Sequence, residues 1–345
     1  MAKHDEMAAF ARESLGLPEG IEIDLSPLGK RGSDRTYFRL RWDEGRTAIL
    51  VAYDPARTEN QYFADIAAFL SRIGVPVPQV FRHDPAACLM VMEDLGSIDL
   101  ESYKGAPWEE RAPLYQKTLV AVHRLHTVPA DEFPSSRVRL MDPFGPDLYR
   151  WERDYFRENF VEELCGLAID PSSGEDLEKE LASLAGRIDA SRPGLVHRDL
   201  QSQNVMVRDG EPFLIDFQGM RFGSFFYDLG SLLCDPYVEF PEGAEEELLS
   251  FYYDLSNRQE DWAEFRKLFW EASVQRLMQA LGAYGFLSLK RGLKGYLDHV
   301  PAAVRKLGDA AARAATLPLL SDLVGKCEKA SRPVVGAPGG KAVSR

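Results

Sequence analysis

His197-Arg-Asp-Leu-Gln-Ser-Gln-Asn204 and Phe213-Leu-Ile-Asp-Phe-Gln-Gly219 are the two stretches on which the fold turns. Each carries or follows a short apolar, strand-like run: Leu195–Val196 before the first, Phe213–Phe217 within the second. Between them Val205–Pro212 is patterned as a hairpin. Asp199, Asn204 and Asp216 therefore fall at strand or loop ends, where side chains from consecutive segments can converge. An aspartate at such a place is as readily a turn or cap residue. Two polar strings in order, with Asp216 seventeen residues after Asp199, are much harder to obtain by accident. One amide and one carboxylate are hard oxygen donors, of the kind magnesium takes while keeping its other positions for water and phosphate.

Working outward, the N-terminal part alternates strand-like and helix-like segments. Ile21–Leu25 is a short strand-like run, and Gly29-Lys-Arg-Gly-Ser-Asp34 is a turn-rich loop. Arg35–Trp42 and Thr47–Tyr53 then read as a hairpin around Asp43-Glu-Gly45. A helix is expected from Thr58, with Gln61 as its capping-box partner and Gly74 as its stop. Val80–His83 and Cys88–Glu93 are expected to pair as strands. Beyond Glu93–Gly96 the pattern becomes helical: Trp108–Thr127, Leu148–Leu167, Gly174–Ile188, and most of the chain from Tyr227 to about Lys329. The expectation is an α+β fold with a small β-rich lobe over 1–95 and a larger helical lobe over 96–331. A disordered Gly/Pro/Ala-rich tail is expected over 332–345.

Composition narrows the class. In 345 residues, 54 acidic against 41 basic side chains give a net charge of −13, which repels nucleic acid and anionic membrane. Cys88, Cys165, Cys234 and Cys327 are scattered without metal-site spacing. Neither an apolar signal core nor a membrane-length apolar run is present. A cytoplasmic, monomeric protein acting on a small molecule is the expectation.

The strings resemble the protein-kinase template, H-R-D-x-x-x-x-N followed by a strand ending in Asp-Phe. In that template the attacking hydroxyl is held in line and the phosphate charges are neutralised. By that resemblance Asp199 accepts or holds the hydroxyl proton, and Asn204 and Asp216 bind magnesium. His197 braces the loop. Tyr227-Asp-Leu-Gly230 adds Asp228 as a second brace. With it, the chain is similar to the aminoglycoside phosphotransferase family of kinase-like enzymes. Gly32-Ser-Asp-Arg-Thr-Tyr-Phe-Arg39, Met92-Glu-Asp-Leu-Gly96 and the run to Tyr237 look closest to one branch. Its members are bacterial kinases of the anomeric hydroxyl of N-acetylmuramate and N-acetylglucosamine, in cell-wall recycling. The resemblance implies ATP as phosphoryl donor. Glu93–Leu95 would be the hinge that meets adenine through its backbone. The loop with Ser33 and Arg35 would cover the phosphates.

Two features depart from the template. The loop has only Gly29-x-x-Gly32, and Thr47–Tyr53 lacks the lysine expected near Ala52 to pair the phosphates and a helix glutamate, here Glu59. Arg35 or Lys30 would have to supply that charge, and Arg35 is the expected substitute. For the acceptor, Gln218, Arg221, Asp235 and Tyr237 are candidates, with Trp151, Asp154 and Tyr155. The function expected is phosphorylation of an amino-sugar hydroxyl. A kinase of aminoglycosides or other small alcohols is one alternative, and a nucleotide-binding pseudokinase is another.

Overall fold

Alternation along the first hairpin folds as its pattern requires. The structure, a computed structural model, describes residues 2–29, 35–191, 193–257 and 261–335. After helix α1 (Ala2–Leu15), strands β1 (Asp24–Pro27), β2 (Thr36–Trp42) and β3 (Arg46–Ala52) run antiparallel, with Phe38 opposite Leu50. Helix α2 (Glu59–Arg72) follows, then β4 (Val80–Asp84) and β5 (Leu89–Glu93), which complete a five-stranded sheet in the order β1-β2-β3-β5-β4. Ile21–Leu25 thus contributes less strand than expected, because β1 starts only at Asp24. Thr58 makes no side-chain cap; Gln61 N–H instead donates to the Thr58 carbonyl at 3.0 Å, since Thr58 is already helical with φ of −61°. Gly74 does stop α2, at φ of +77°.

The sheet has two apolar faces. Leu40, Ala48, Leu50, Leu89 and Val91 pack with Met7, Phe10 and Ala11 of α1, and Ala52 rests against this cluster. Side chains alternate along a strand, so Ile49 and Val51 lie on the opposite face.

Helix α3 (Trp108–His126) is followed by α4 (Pro146–Phe156), a π-helical segment Arg157–Leu164, α5 (Pro171–Ala190) and β6 (Pro193–Val196). Next come β7 (Val205–Arg208) and β8 (Glu211–Leu214), paired with Met206 opposite Phe213. Their turn, Asp209-Gly210, has φ of +53° and +73°, the left-handed pair that lets a two-residue loop match strand twist. Strand β9 (Arg221–Ser224) pairs with β6. The chain ends in α6 (Phe226–Leu233), α7 (Ala244–Ser256), α8 (Trp262–Leu289), α9 (Val300–Ala314) and α10 (Pro318–Val335). Helix α10 thus occupies residues 332–335, where a disordered tail was expected; residues 336–345 lie outside the described residues. No helix among the described residues is long and apolar enough to cross a membrane.

Two compact units result. The first is residues 1–142 with 197–221, and the second is 143–196 with 222–345. This division differs from the expected boundary between 95 and 96. The physical reason is stitching by the β7–β8 hairpin: Val207 N–H donates to the Ile98 carbonyl at 2.8 Å, and Leu214 N–H to that of Pro76 at 2.9 Å. Phe217 stacks on Phe63 of α2 at 4.4 Å. In the second unit, Gly285 of α8 lets the π-helical segment approach: a Cβ there would lie 2.2 Å from the Asn159 carbonyl oxygen. Nearby, buried Glu152 accepts from Tyr227 Oη at 2.8 Å and Gln275 Nε2 at 2.9 Å, so its side-chain oxygens are hydrogen-bonded inside the helical core.

Candidate active site

The first unit holds Asp199, Asn204, Asp216 and Arg35 together, and their arrangement begins with the backbone. His197 is fully buried, and its Nε2 lies 2.9 Å from the Ile215 carbonyl. A carbonyl only accepts, so Nε2 carries the proton and the ring ties the loop to the strand end that precedes Asp216. Arg198 sits at φ of +79°, a conformation costly for a residue with a Cβ. It directs Nη1 to Asp199 Oδ2 at 2.8 Å. The Asp199 carbonyl receives Gln201 N–H at 2.9 Å and Asn204 Nδ2 at 2.8 Å. Asn204 returns its own carbonyl to Ile215 N–H at 3.0 Å. Its amide nitrogen is thereby spent on the loop, and Oδ1 is the atom it has to offer a cation.

Asp216 lies two residues past β8, not at the end of a longer strand Phe213–Phe217, and has φ of +64°. This left-handed turn ends the extended run and starts a single 3-10 turn, Phe217–Gly219. Its carboxylate is half-buried. Oδ1 accepts from the Arg35 guanidinium and, at 3.0 Å, from Gln218 Nε2. Burial pushes the Asp216 carboxyl up and the Asp199 charge adds to that, yet Arg35 and the Gln218 amide prevail and hold it below the ordinary carboxylate range. For Arg35, burial disfavours the charge, but Asp216, Tyr37 and Glu59 outweigh it and raise the guanidinium further.

Arg35, the residue expected to substitute for the strand lysine, is bound to Asp216. It borders a small space of about 10 Å³ lined also by Val51, Tyr53, Asn60, Phe63, Met90 and Met92. Val51 and Tyr53 are the β3-side residues of this face. Ala52 points into the α1 core, so the position expected for the lysine is turned away from Arg35. Arg35 reaches Asp216 from the start of β2, and its guanidinium carbon lies 5.8 Å from the Tyr37 ring centroid. Glu59, in the first turn of α2, feeds the Arg35 charge and is also 3.5 Å from Arg57.

The remaining expected residues fall in several places. Ser33 and Lys30 lie outside the described residues. Glu93 ends β5; its N–H donates to the Gln79 carbonyl at 2.8 Å and its carboxylate meets Arg208 Nη1 at 2.6 Å. Leu95 is buried beside Asp94, whose carboxylate takes two hydrogen bonds from Arg39 at 2.7 and 3.0 Å. Gln218, expected at the acceptor, is occupied with Asp216. Arg221 is buried, with Nε donating to the Gly219 carbonyl at 3.1 Å. Asp228, Asp235 and Tyr237 belong to the second unit and are buried there. Asp235 Oδ1 caps Tyr237 N–H at 3.0 Å, and Tyr237 packs edge-on against His299 at 4.4 Å. Sequence reasoning missed Arg198 as the partner of Asp199 and Gln218 as that of Asp216. The signal, a polar neighbour one or two residues away, was present, but the left-handed backbone at Arg198 and Asp216 that turns it inward was not.

These donors suit magnesium: a carboxylate on Asp216 and an amide oxygen on Asn204, with no cluster of three or more His, Cys, Asp or Glu among the described residues. A site built that way leaves positions for phosphate oxygens and water.

Residues 24–268 match the profile of the phosphotransferase enzyme family (APH). An N-acetylmuramate/N-acetylglucosamine kinase of Pseudomonas aeruginosa is 25% identical, over 91% of this chain and 91% of its own. One of Neisseria meningitidis is 24% identical over 88% and 92%. Among solved structures, a choline kinase from Cryptosporidium parvum superposes with a TM-score of 0.61 at 14% identity, covering 93% of this chain and 99% of that one. A streptomycin-ATP-APH(2'')-IIa ternary complex gives 0.59 at 16%, covering 84% and 93%. With its antiparallel sheet, its β7–β8 hairpin and its mainly helical second part, this chain has the protein-kinase-like α+β fold and belongs to the APH phosphotransferase enzyme family, as a small-molecule phosphotransferase.

Proposed function

We propose that this protein transfers the γ-phosphoryl group of ATP to a hydroxyl of an amino sugar of the N-acetylmuramate/N-acetylglucosamine type, the anomeric hydroxyl being the preferred acceptor. The observation that carries the reading is the interlock of Asp199, Asn204 and Asp216 through the Asn204 amide and the His197–Ile215 bond. Support for the sugar comes from relatives that carry that name over nine-tenths of their length. Asp199 holds the hydroxyl and takes its proton, with Arg198 fixing the carboxylate. Asn204 Oδ1 and Asp216 would hold magnesium, which when bound neutralises the phosphate charge. Arg35 pairs the phosphates in place of the strand lysine. The Glu93 carbonyl and the Leu95 N–H meet the adenine edge, because the Glu93 N–H is already used by Gln79.

The measurement is ATP consumption across N-acetylglucosamine, N-acetylmuramate, their 1-deoxy analogues, choline and kanamycin. Turnover of the reducing sugars and none of their 1-deoxy analogues is the expected result. Turnover of kanamycin or choline alone would replace the sugar reading. Tight ATP binding without any turnover would make the protein a pseudokinase.

A further inference from the structure

Asp216 Oδ1 is claimed twice, by Arg35 and by Gln218, and the two partners differ in what they can give up. Gln218 is buried, with only 8% of its surface exposed, and its Oε1 has no partner among the described residues. Its amide cannot reverse without turning that oxygen against the Asp216 charge, so Nε2 stays where it is. Arg35 is bound differently. Its side chain is long and anchored at the start of β2, and its charge is also favoured by Glu59 and Tyr37. It therefore keeps favourable neighbours if it leaves Asp216.

We propose that Arg35 and a divalent cation are rival partners of Asp216, and that Arg35 thereby couples cation binding to nucleotide binding. The inference rests on the reading of Asp216 as a cation ligand given above. A guanidinium and a divalent cation on one carboxylate oxygen repel each other, so either one excludes the other. Triphosphate oxygens are a better destination for Arg35 than a single carboxylate, because they offer more charge and paired acceptors. A nucleotide that draws Arg35 away uncovers Asp216 for the cation. By reciprocity a cation on Asp216 frees Arg35 for the phosphates. Gln218 holds the carboxylate in place through the exchange, and its free Oε1 can accept a hydrogen bond from a cation-bound water. Arg35 is thus a positioning residue for the cation site as well as a phosphate ligand.

The test is equilibrium binding of Mn²⁺ alone to the full chain, followed by the electron paramagnetic resonance signal of free Mn²⁺, with no nucleotide and no turnover. Arg35→Met is expected to bind Mn²⁺ at least fivefold more tightly than the wild type. Arg35→Gln should change it in the same direction, which guards against a folding defect in one variant. Adding Asp216→Asn to Arg35→Met should abolish the gain. Without metal, Arg35→Met should bind a non-hydrolysable ATP analogue at least fivefold more weakly. Unchanged or weaker Mn²⁺ binding in both Arg35 variants overturns the rivalry. Absence of Mn²⁺ binding in every protein, even with the ATP analogue present, overturns the cation-site reading itself and the rivalry with it.

Discussion

The hairpin segment 197–219 and the sheet of the same unit follow the kinase pattern to different degrees. From His197 to Gly219 the segment is cross-bonded within itself: His197 on Ile215, Asn204 on Asp199, Gln218 on Asp216. The β2–β3 side keeps the strand pairing but brings its cation from a different strand. Arg35 enters from the start of β2, while β3 presents Val51, with Tyr53 just past its end. The contrast separates two demands. On the proposed roles, proton handling and metal ligation need closely fixed groups, which a short, cross-bonded loop supplies. Neutralising phosphate needs a positive charge within reach, and a long side chain can supply it from more than one position on the sheet.

The largest effect should come from breaking the hairpin. Asp199→Asn is expected to lower turnover by about 10²–10⁴-fold with little change in ATP affinity, since it removes the proton acceptor and leaves the phosphate side intact. Steady-state kinetics with a binding titration checks it, and a variant within a few-fold of wild type would show that Asp199 is not the base. The sheet side should break more gently. Arg35→Ala is expected to raise the Michaelis constant for ATP and lower turnover, together by about 10- to 100-fold, the range for losing charge-assisted hydrogen bonds. Unchanged constants would mean that the phosphate charge is met elsewhere. A smaller loss, about three- to tenfold in turnover, is expected for Gln218→Ala, because Asp216 would lose a neutral orienting donor while its charge and its place in the backbone remain. If Gln218→Ala instead raised the Michaelis constant for the acceptor alone, Gln218 would belong to the substrate and not to Asp216.

The same two regions were unequally legible in the sequence. The hairpin could be read because its information is local. Apolar runs flank polar strings, Asp209-Gly210 marks the turn, and the chemistry lies within eighteen residues of Asp199. What stayed hidden were backbone states that no residue type announces: the left-handed Arg198 and Asp216, and the early end of β8. On the sheet, period-two alternation gave the strands but not which face meets α1. The lysine position was therefore assigned near Ala52, which packs into the opposite core. The capping box at Thr58 failed for a related reason: the spacing was right, but Thr58 is already helical and cannot point its hydroxyl at the helix start. The division into compact units differs from a boundary near residue 95 because it depends on contacts between segments more than a hundred residues apart, such as Val207 with Ile98.

The smallest expected effect tests the link between the two regions, the Arg35–Asp216 pair itself. The fold holds the Asp216 carboxyl below its ordinary range, so it favours the ionised form. The stability this contributes is fully present above the unfolded carboxylate pKa of about 3.9 and is lost as pH falls from there through the lower folded value. The whole change therefore lies below about pH 4, and between pH 5 and 8 the contribution is flat. The side chain of Asp216 keeps 31% of its surface exposed, so solvent screening keeps the effect modest. Urea unfolding of wild type and Asp216→Asn at pH 7, 5, 4 and 3 measures it as the difference in midpoint. That difference should be constant from pH 7 to 5, with the wild type losing ground to the variant only below pH 4. A difference that already shrinks between pH 7 and 5 would mean that the fold raises the Asp216 carboxyl. Arg35 would then not be its dominant partner, and the hairpin and the sheet would not be joined by this ion pair.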